Sequence, residues 1–271
     1  MKWTRTVTDL RAVLAPARSG VLGFVPTMGA LHRGHTTLFD VARRECDRVV
    51  ASVFVNPAQF NDPADLSAYP RTEARDGELA AAAGVDVLFV PSVEEVYRVG
   101  HATSVVVGGP ALGFEGDHRP GHFDGVATVC LKLFEMVQPQ RVYLGQKDAQ
   151  QVAVLRQMVG DLDLPLEIRV VPTVRDEDGL ALSSRNARLS TSERRRALAL
   201  PRALRSGLTA FTRGQDPVAA ARAQLDDVDV EYVAVVSFHG DATLVLAARV
   251  GATRLIDNVP LSHPQAAGLQ L

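Results

Sequence analysis

Four short apolar runs set the frame of this chain, because they alternate with stretches of helical length. Residues 21–25, 49–55, 85–90 and 142–144 are rich in Val, Phe and Leu, and residues 36–46, 72–83, 123–137 and 148–159 carry helix-like patterns. Strands that are apolar on both faces belong in a parallel sheet covered on each side, and strand–helix alternation supplies the cover. The expected fold class is therefore α/β, a parallel sheet with helices on both faces. Two connections, 56–70 and 91–123, are long and rich in Pro, Gly, Asp and His. Loops of that length in a compact domain usually carry function.

Near Val174 the pattern changes. Asp176 to Asp178 with Gly179 suits a tight turn, and Ser190 with Glu193 three residues later is a capping-box signature for a helix that Pro201 should end or kink. Residues 231–237, 243–250 and 253–256 read as strands, the first two joined through His239, Gly240 and Asp241. A length of 271 residues suits one large or two modest domains. The division expected is 1–173 for the sheet and 174–271 for a smaller α+β domain.

Composition narrows the partners. With 29 basic and 31 acidic residues the formal net charge is -2, which excludes nucleic-acid binding driven by overall basicity. Arg194, Arg195 and Arg196 are most simply one solvated helix face. Asp86 interrupts the best apolar stretch, so no membrane span is expected. Lys2, Arg5, Asp9 and Arg11 leave no apolar signal-peptide core, and Cys46 and Cys130 have no metal-binding spacing. A cytoplasmic home is the expectation.

Ligands of an open parallel sheet bind beyond the carboxyl ends of its strands. There the sequence places Pro26 to His35, Asn56 to Phe60, and Gly145-Gln146-Lys147-Asp148. Two of these turns enter helices, whose first N–H groups are unpaired and whose dipole favours an anion, and Lys147 adds a full positive charge. A phosphate chain is the natural guest, yet neither a G-x-x-x-x-G-K-[ST] loop nor a G-x-G-x-x-G fingerprint occurs. His32 and His35 would share one face of a helix begun by Leu31. They fit a polar helix start, a metal pair, or two donors to a phosphate that Gly34 lets approach closely. Singly, Lys147 and Asp148 fit a solvated helix start, Gln59 and Gln151 surface amides, and Ser183 to Asn186 an interdomain loop.

Together the motifs say more. Gly23-Phe-Val-Pro-Thr-Met-Gly-Ala-Leu-His-Arg-Gly-His35, Val53-Phe-Val-Asn-Pro-Ala-Gln-Phe60, Pro120-Gly-His-Phe123, Gly145-Gln-Lys-Asp-Ala-Gln-Gln151, Pro172-Thr-Val-Arg175, Leu182-Ser-Ser-Arg-Asn186 and Arg254-Leu-Ile-Asp-Asn258 resemble the pantothenate synthetases over nearly the whole chain. That family belongs to the nucleotidyltransferase-like group with an H-x-G-H motif. The resemblance implies a Rossmann-like sheet and ATP-dependent condensation of (R)-pantoate with β-alanine, through a pantoyl adenylate, to pantothenate, AMP and pyrophosphate. It implies an ATP site of Met28, Gly29, His32, Gly34, His35, Gly145, Gln146, Lys147, Asp148, Val174, Leu182, Ser183, Ser184 and Arg185. It also implies Gln59 and Gln151 for pantoate, with Gln59 implicated for β-alanine as well, His35 as proton donor, and a homodimer. Because a carboxylate attacking a phosphate brings two anions together, Lys147 is expected as a second catalytic group and Mg²⁺ as a neutralising cation, with Asp76 as one contact. Leu182 stands where Met is frequent in the family, and Arg33 where Glu is frequent. The rival readings are a nucleotidyltransferase acting on another small acid and a nucleotide-sensing module without catalysis.

Overall fold

In the computed structural model, which describes residues 1–15, 19–238 and 240–263, the four apolar runs form the four inner strands of a six-stranded parallel sheet. The strands are β1 (Lys2–Thr4), β2 (Leu22–Thr27), β3 (Arg48–Val53), β4 (Val87–Phe89), β5 (Arg141–Gly145) and β6 (Glu167–Val171), in the order β1-β4-β3-β2-β5-β6. The inner strands are largely buried, as strands covered on both faces must be. The edge strands β1 and β6 escape the sequence reading because both are short and place charged residues, in KWT and EIRVV, on exposed or half-exposed positions.

The main flanking helices are α1 (Val7–Leu14), α2 (Arg33–Glu45), α3 (Glu73–Ala82), α4 (His122–Val137) and α5 (Ala149–Asp161). Phe123, Val126, Leu133 and Phe134 of α4 join Leu10, Phe24, Val50, Val142 and Leu155 in one apolar core. The Phe24 and Phe134 rings meet edge to face, with centroids 6.3 Å apart.

The chain runs outward from β2 through β3 to β4, and outward the other way from β5 to β6. The reversal between β2 and β5 is the switch point at which doubly wound sheets take ligands. β2 stays paired with β3 as far as Thr27–Val53, but it meets β5 only at Gly23–Arg141 and Phe24–Val142. Pro26 lies past the last β5 pair, where a strand tolerates the loss of an N–H.

Contacts divide the chain into two compact units. Met1–Leu31, His35–Leu144 and Gln150–Val170 make the first; His32–Gly34, Gly145–Ala149 and Val171–Leu271 make the second. In the second, Ser190 Oγ accepts from Glu193 N–H while the Glu193 carboxylate takes the Ser190 N–H, a complete capping box that starts α6 (Thr191–Ala197). The helix breaks at Leu198, ahead of Pro201. Pro201 is the third residue of α7 (Ala199–Thr212), where an N–H would have no intrahelical acceptor. After the short helix α8 (Pro217–Arg222) come β7 (Asp229–Phe238), β8 (Asp241–Val250) and β9 (Thr253–Pro260) in one antiparallel sheet, β9 extending four residues beyond the sequence expectation. His239 of the expected turn lies outside the described residues, and Gly240 takes a left-handed φ of 91°.

Leu200, Leu204 and Leu208 of α7 lie against Leu244, Leu246 and Val259 in a separate core. Leu204 is 0% exposed. Leu204→Ala should therefore lower the stability of this unit by about 2–5 kcal/mol. Urea unfolding followed by circular dichroism measures it, and a loss under about 1 kcal/mol would contradict the core assignment.

Candidate active site

The turn that leaves β2 is held by a buried carboxylate. Asp76, in the first turn of α3 and 1% exposed, accepts the N–H of Ala30 through Oδ2 at 3.0 Å and the N–H of Leu31 through Oδ1 at 2.8 Å. Thr72 Oγ1 donates to the same Oδ1 at 3.1 Å. Gly29 and Ala30 both have positive φ, 83° and 51°, and a Cβ on Gly29 would lie 2.9 Å from both Asp76 Oδ2 and Val53 Cγ1. Asp76 thus stabilises a turn that glycine makes sterically accessible. Asp76, expected as one contact of Mg²⁺, has in this structure the task of holding the turn.

Gln59 lies on the single turn Pro57–Gln59 after β3 and is 8% exposed. Its Oε1 accepts from Asn56 Nδ2 at 3.1 Å, and its Nε2 donates to Met28 Sδ at 3.0 Å. Asn56 donates its other amide hydrogen to Gly125 O at 3.1 Å, while Asn56 Oδ1 accepts from Tyr97 Oη at 2.8 Å and from the Ala58 N–H. Burial pushes the Tyr97 phenol up to about 12, so it remains a donor. α4 approaches so closely that a Cβ on Gly125 would sit 2.3 Å from Ala58 O. Arg119 donates to His122 Nε2 at 2.9 Å and to Gln59 O at 3.3 Å, and His122 Nδ1 lies 2.9 Å from Gln59 O. A guanidinium only donates, so His122 accepts at Nε2 and carries its proton on Nδ1 toward Gln59 O.

Gln151 is half-buried in the first turn of α5. Its neighbour Gln150 is buried, accepts from the Glu115 N–H at 3.0 Å, and donates to the carbonyls of Pro110 and Gly113, each at 3.1 Å. Of the sequence-derived set, Met28, Gly29, His35, Gln59 and Gln151 belong to this first unit.

The rest belong to the second: His32, Gly34, Gly145, Gln146, Lys147, Asp148, Val174, Leu182, Ser183, Ser184 and Arg185. α2 begins at Arg33 rather than at Leu31, so His32 precedes the helix while His35 stands in its first turn. His32 Nδ1 accepts the Gly34 N–H at 3.1 Å. A Cβ on Gly34 would fall 2.8 Å from the His32 ring, so the close approach this glycine permits is to the imidazole. Burial, reinforced by the Lys147 ammonium, pulls His32 down from 6.5 to about 4, against the opposing pull of Asp148 and Asp176. With Nδ1 accepting, neutral His32 carries its proton on Nε2.

Lys147 Nζ lies 3.6 Å from Asp148 Oδ1. Asn258 of β9 fixes the backbone of this turn, donating to Gln146 O at 3.0 Å and Lys147 O at 2.9 Å and accepting from Gln146 Nε2 at 3.1 Å. Val174 and Leu182 are joined by an N–H to carbonyl bond of 3.0 Å, and Ser183 caps the turn Ser184–Arg188 by accepting the Arg185 N–H at 3.2 Å. The next residue after Val174, Arg175, forms a bidentate ion pair with Asp257 at 2.6 and 2.9 Å, with side chains 5% and 1% exposed. Arg33 donates to Arg175 O at 2.6 Å.

Sequence reasoning gives no role to Asn56, Tyr97, Arg119, Asp257 or Asn258. The signals were weak: Asn56 precedes Pro57 in a helix-capping pattern, and Asn56, Asp257 and Asn258 lie inside motifs without an assigned task.

The depressed His32 pKa has a definite sign in stability. Between about pH 6.5 and 4 the unfolded chain binds the proton that the folded chain refuses, so this residue makes the fold less stable as pH falls through that window, with no further loss below it. Nuclear magnetic resonance titration of the ring, identified by its absence in His32→Asn, should give a midpoint near 4. A midpoint above 6 would contradict the buried, Lys147-facing placement.

Residues 2–260 match the pantoate-beta-alanine ligase family. The chain is 48% identical to pantothenate synthetase of Cereibacter sphaeroides, over 95% of this chain and 98% of that protein, and 49% identical to that of Rhizorhabdus wittichii, over 96% and 98%. It superposes on the crystal structure of pantothenate synthetase from Thermus thermophilus with a TM-score of 0.92, at 48% identity over 96% of this chain and 99% of the other. It also superposes on a Francisella tularensis pantoate-beta-alanine ligase complexed with beta-gamma ATP and beta-alanine, with a TM-score of 0.85, at 35% identity over 97% and 98%. Matched from one end to nearly the other, this chain belongs to the pantoate-beta-alanine ligase family.

Proposed function

We propose that the chain joins (R)-pantoate to β-alanine, with ATP cleaved to AMP and pyrophosphate, in the pathway to pantothenate and coenzyme A. The observation that carries the assignment of its site is the gathering of His32–Gly34, Gly145–Ala149 and the segment from Val171 into one compact unit. Three stretches far apart in sequence thereby bring an ammonium, a neutral imidazole and a serine-arginine turn into one structural element.

In the first step a pantoate carboxylate oxygen attacks the α-phosphorus, a P–O bond to it forms, and the α–β bridge breaks to release pyrophosphate. Two anions must meet, so the chain's task is to spread and neutralise phosphate charge. Lys147 supplies a full charge to it. His32 adds an Nε2–H that stays a neutral donor throughout the physiological range, and His35 in the first turn of α2 donates as the leaving charge develops. Gly34, Gly145, Gln146, Asp148, Val174, Leu182 and the Ser183–Arg185 turn complete the nucleotide contacts. Met28 and Gly29 are assigned to the same nucleotide.

Gln59 keeps one amide hydrogen and one lone pair for the acid after serving Met28 and Asn56, and Gln151 offers a second uncharged amide. Both bind pantoate's hydroxyls and carboxylate without adding negative charge. In the second step the β-alanine amine attacks the acyl carbon, a C–N bond forms, AMP leaves with the bonding pair of the C–O bond, and the nitrogen gives up a proton. Mg²⁺ enters with the triphosphate as MgATP and is part of the substrate. The protein is assigned to the cytoplasm as a homodimer, with residues 174–271 as its smaller second domain.

Exchange of labelled pyrophosphate into ATP, run across a panel of small acids, tests this reading. Exchange should depend on pantoate; exchange with another acid redirects it, and none with any acid favours a nucleotide sensor. Lys147→Ala and His35→Ala should each lower pantoate-dependent exchange by about a hundred- to thousandfold while leaving the fold intact. Wild-type exchange in either variant removes that residue from the mechanism.

A further inference from the structure

The residues that set the backbone of the nucleotide segments are two neighbours on β9 to which the proposed reaction gives no substrate contact. Asp257 and Asn258 pair with Leu246 and Val245 of β8, and they are 3% and 2% exposed. Successive side chains on a strand leave opposite faces, so two neighbours can serve two different segments.

Each is committed to one. Asn258 has two amide hydrogens and uses both, on the carbonyls of Gln146 and Lys147, while its Oδ1 receives Gln146 Nε2. Asp257 holds the Arg175 guanidinium in two charge-assisted bonds, and Arg175 Nη1 also reaches Gly179 O. Arg175 thereby anchors the hairpin that closes at Val174–Leu182 and leads into Ser183–Arg185. The carbonyl of Arg175 in turn accepts from Arg33, beside His32. The Asn258 N–H bonds Asp257 Oδ1 at 2.8 Å, which ties the two arrangements to each other.

We infer that Asp257 and Asn258 are positioning residues for adenylate formation, holding the Gln146–Lys147 turn, the serine-arginine turn and the His32 segment in one fixed alignment for the triphosphate. The inference rests on the assignment of those three segments to ATP. Asn258 acts through its two donors, so its role depends on amide chemistry and not on volume. Asn258→Asp keeps the size but sets carboxylate oxygens against two carbonyl oxygens.

The test separates the two half-reactions in the full chain. Asn258→Asp should lower pantoate-dependent pyrophosphate exchange by about a hundredfold, with a raised KM for ATP. Preformed pantoyl adenylate, which needs no triphosphate alignment, should still react with β-alanine within about threefold of the wild-type rate. Asn258→Ser, which keeps one donor, should fall between the two in exchange, and it replaces the aspartate variant if that chain does not fold. Equal losses in both half-reactions, or exchange within about threefold of wild type, would overturn the inference. Lys147→Ala is measured alongside. If it keeps wild-type exchange, the ATP assignment beneath the inference fails; if it loses exchange while the Asn258 variants keep theirs, the inference alone fails.

Discussion

Everything at the mouth of the sheet depends on how the chain leaves β2. A strand that ends in a parallel sheet must turn at once if the next helix is to begin near its tip. Here the turn is made by two consecutive residues at positive φ, one of them Ala30. An alanine in that region costs about 1 kcal/mol, and the N–H groups of Ala30 and Leu31 have no place in the sheet. The buried Asp76 carboxylate meets both demands by accepting them. Because the carboxylate comes from α3, the turn is fixed by an element far along the chain, and Met28 beside it can serve as the sulfur acceptor for Gln59.

The candidate residues of the two units are held by different kinds of order. Around Gln59 the chain builds a network of side-chain amides, the Tyr97 phenol and His122, joined by the Arg119 guanidinium and closed by the approach of α4. Around Lys147 the arrangement is ionic and backbone-directed, with a buried Arg175–Asp257 pair and an asparagine that gives up both donors to carbonyls. A buried ion pair is a weak source of net stability, because desolvation offsets most of its attraction. Its value lies in direction: a bidentate guanidinium admits one geometry, which fixes the hairpin that Arg175 anchors.

The inner sheet was legible because residues 21–25, 49–55, 85–90 and 142–144 are apolar on both faces, and the capping box at Ser190 was legible because its two side chains act within one turn. The edges were not, since Lys2–Thr4 and Glu167–Val171 mix charged and apolar residues as loops also do. Motifs pointed to Gln59, His32 and Lys147 as chemistry. They did not give the proton position on His32, which is set by its contact with Gly34 N–H and its burial near Lys147. The structural task of Asp76 was not legible either, because the N–H groups it accepts lie more than forty residues earlier in the chain. Pro201 marked a real break in the helix, displaced to Leu198 because a proline is best placed inside the first turn of the next helix.

Asn258 comes 111 residues after the Lys147 whose carbonyl it holds. The hydrogen bonds described above for the Gln59 network, by contrast, join Met28, Asn56, Tyr97, Arg119, His122 and Gly125, all in the first half of the chain. Synthesis proceeds at about 5–20 residues per second and domains assemble as their residues emerge. During translation, then, the partners of Gln59 are all present well before the strand that carries Asp257 and Asn258 emerges. The carbonyls of Gln146 and Lys147 and the Arg175 guanidinium therefore wait for their partners until β9 has been made.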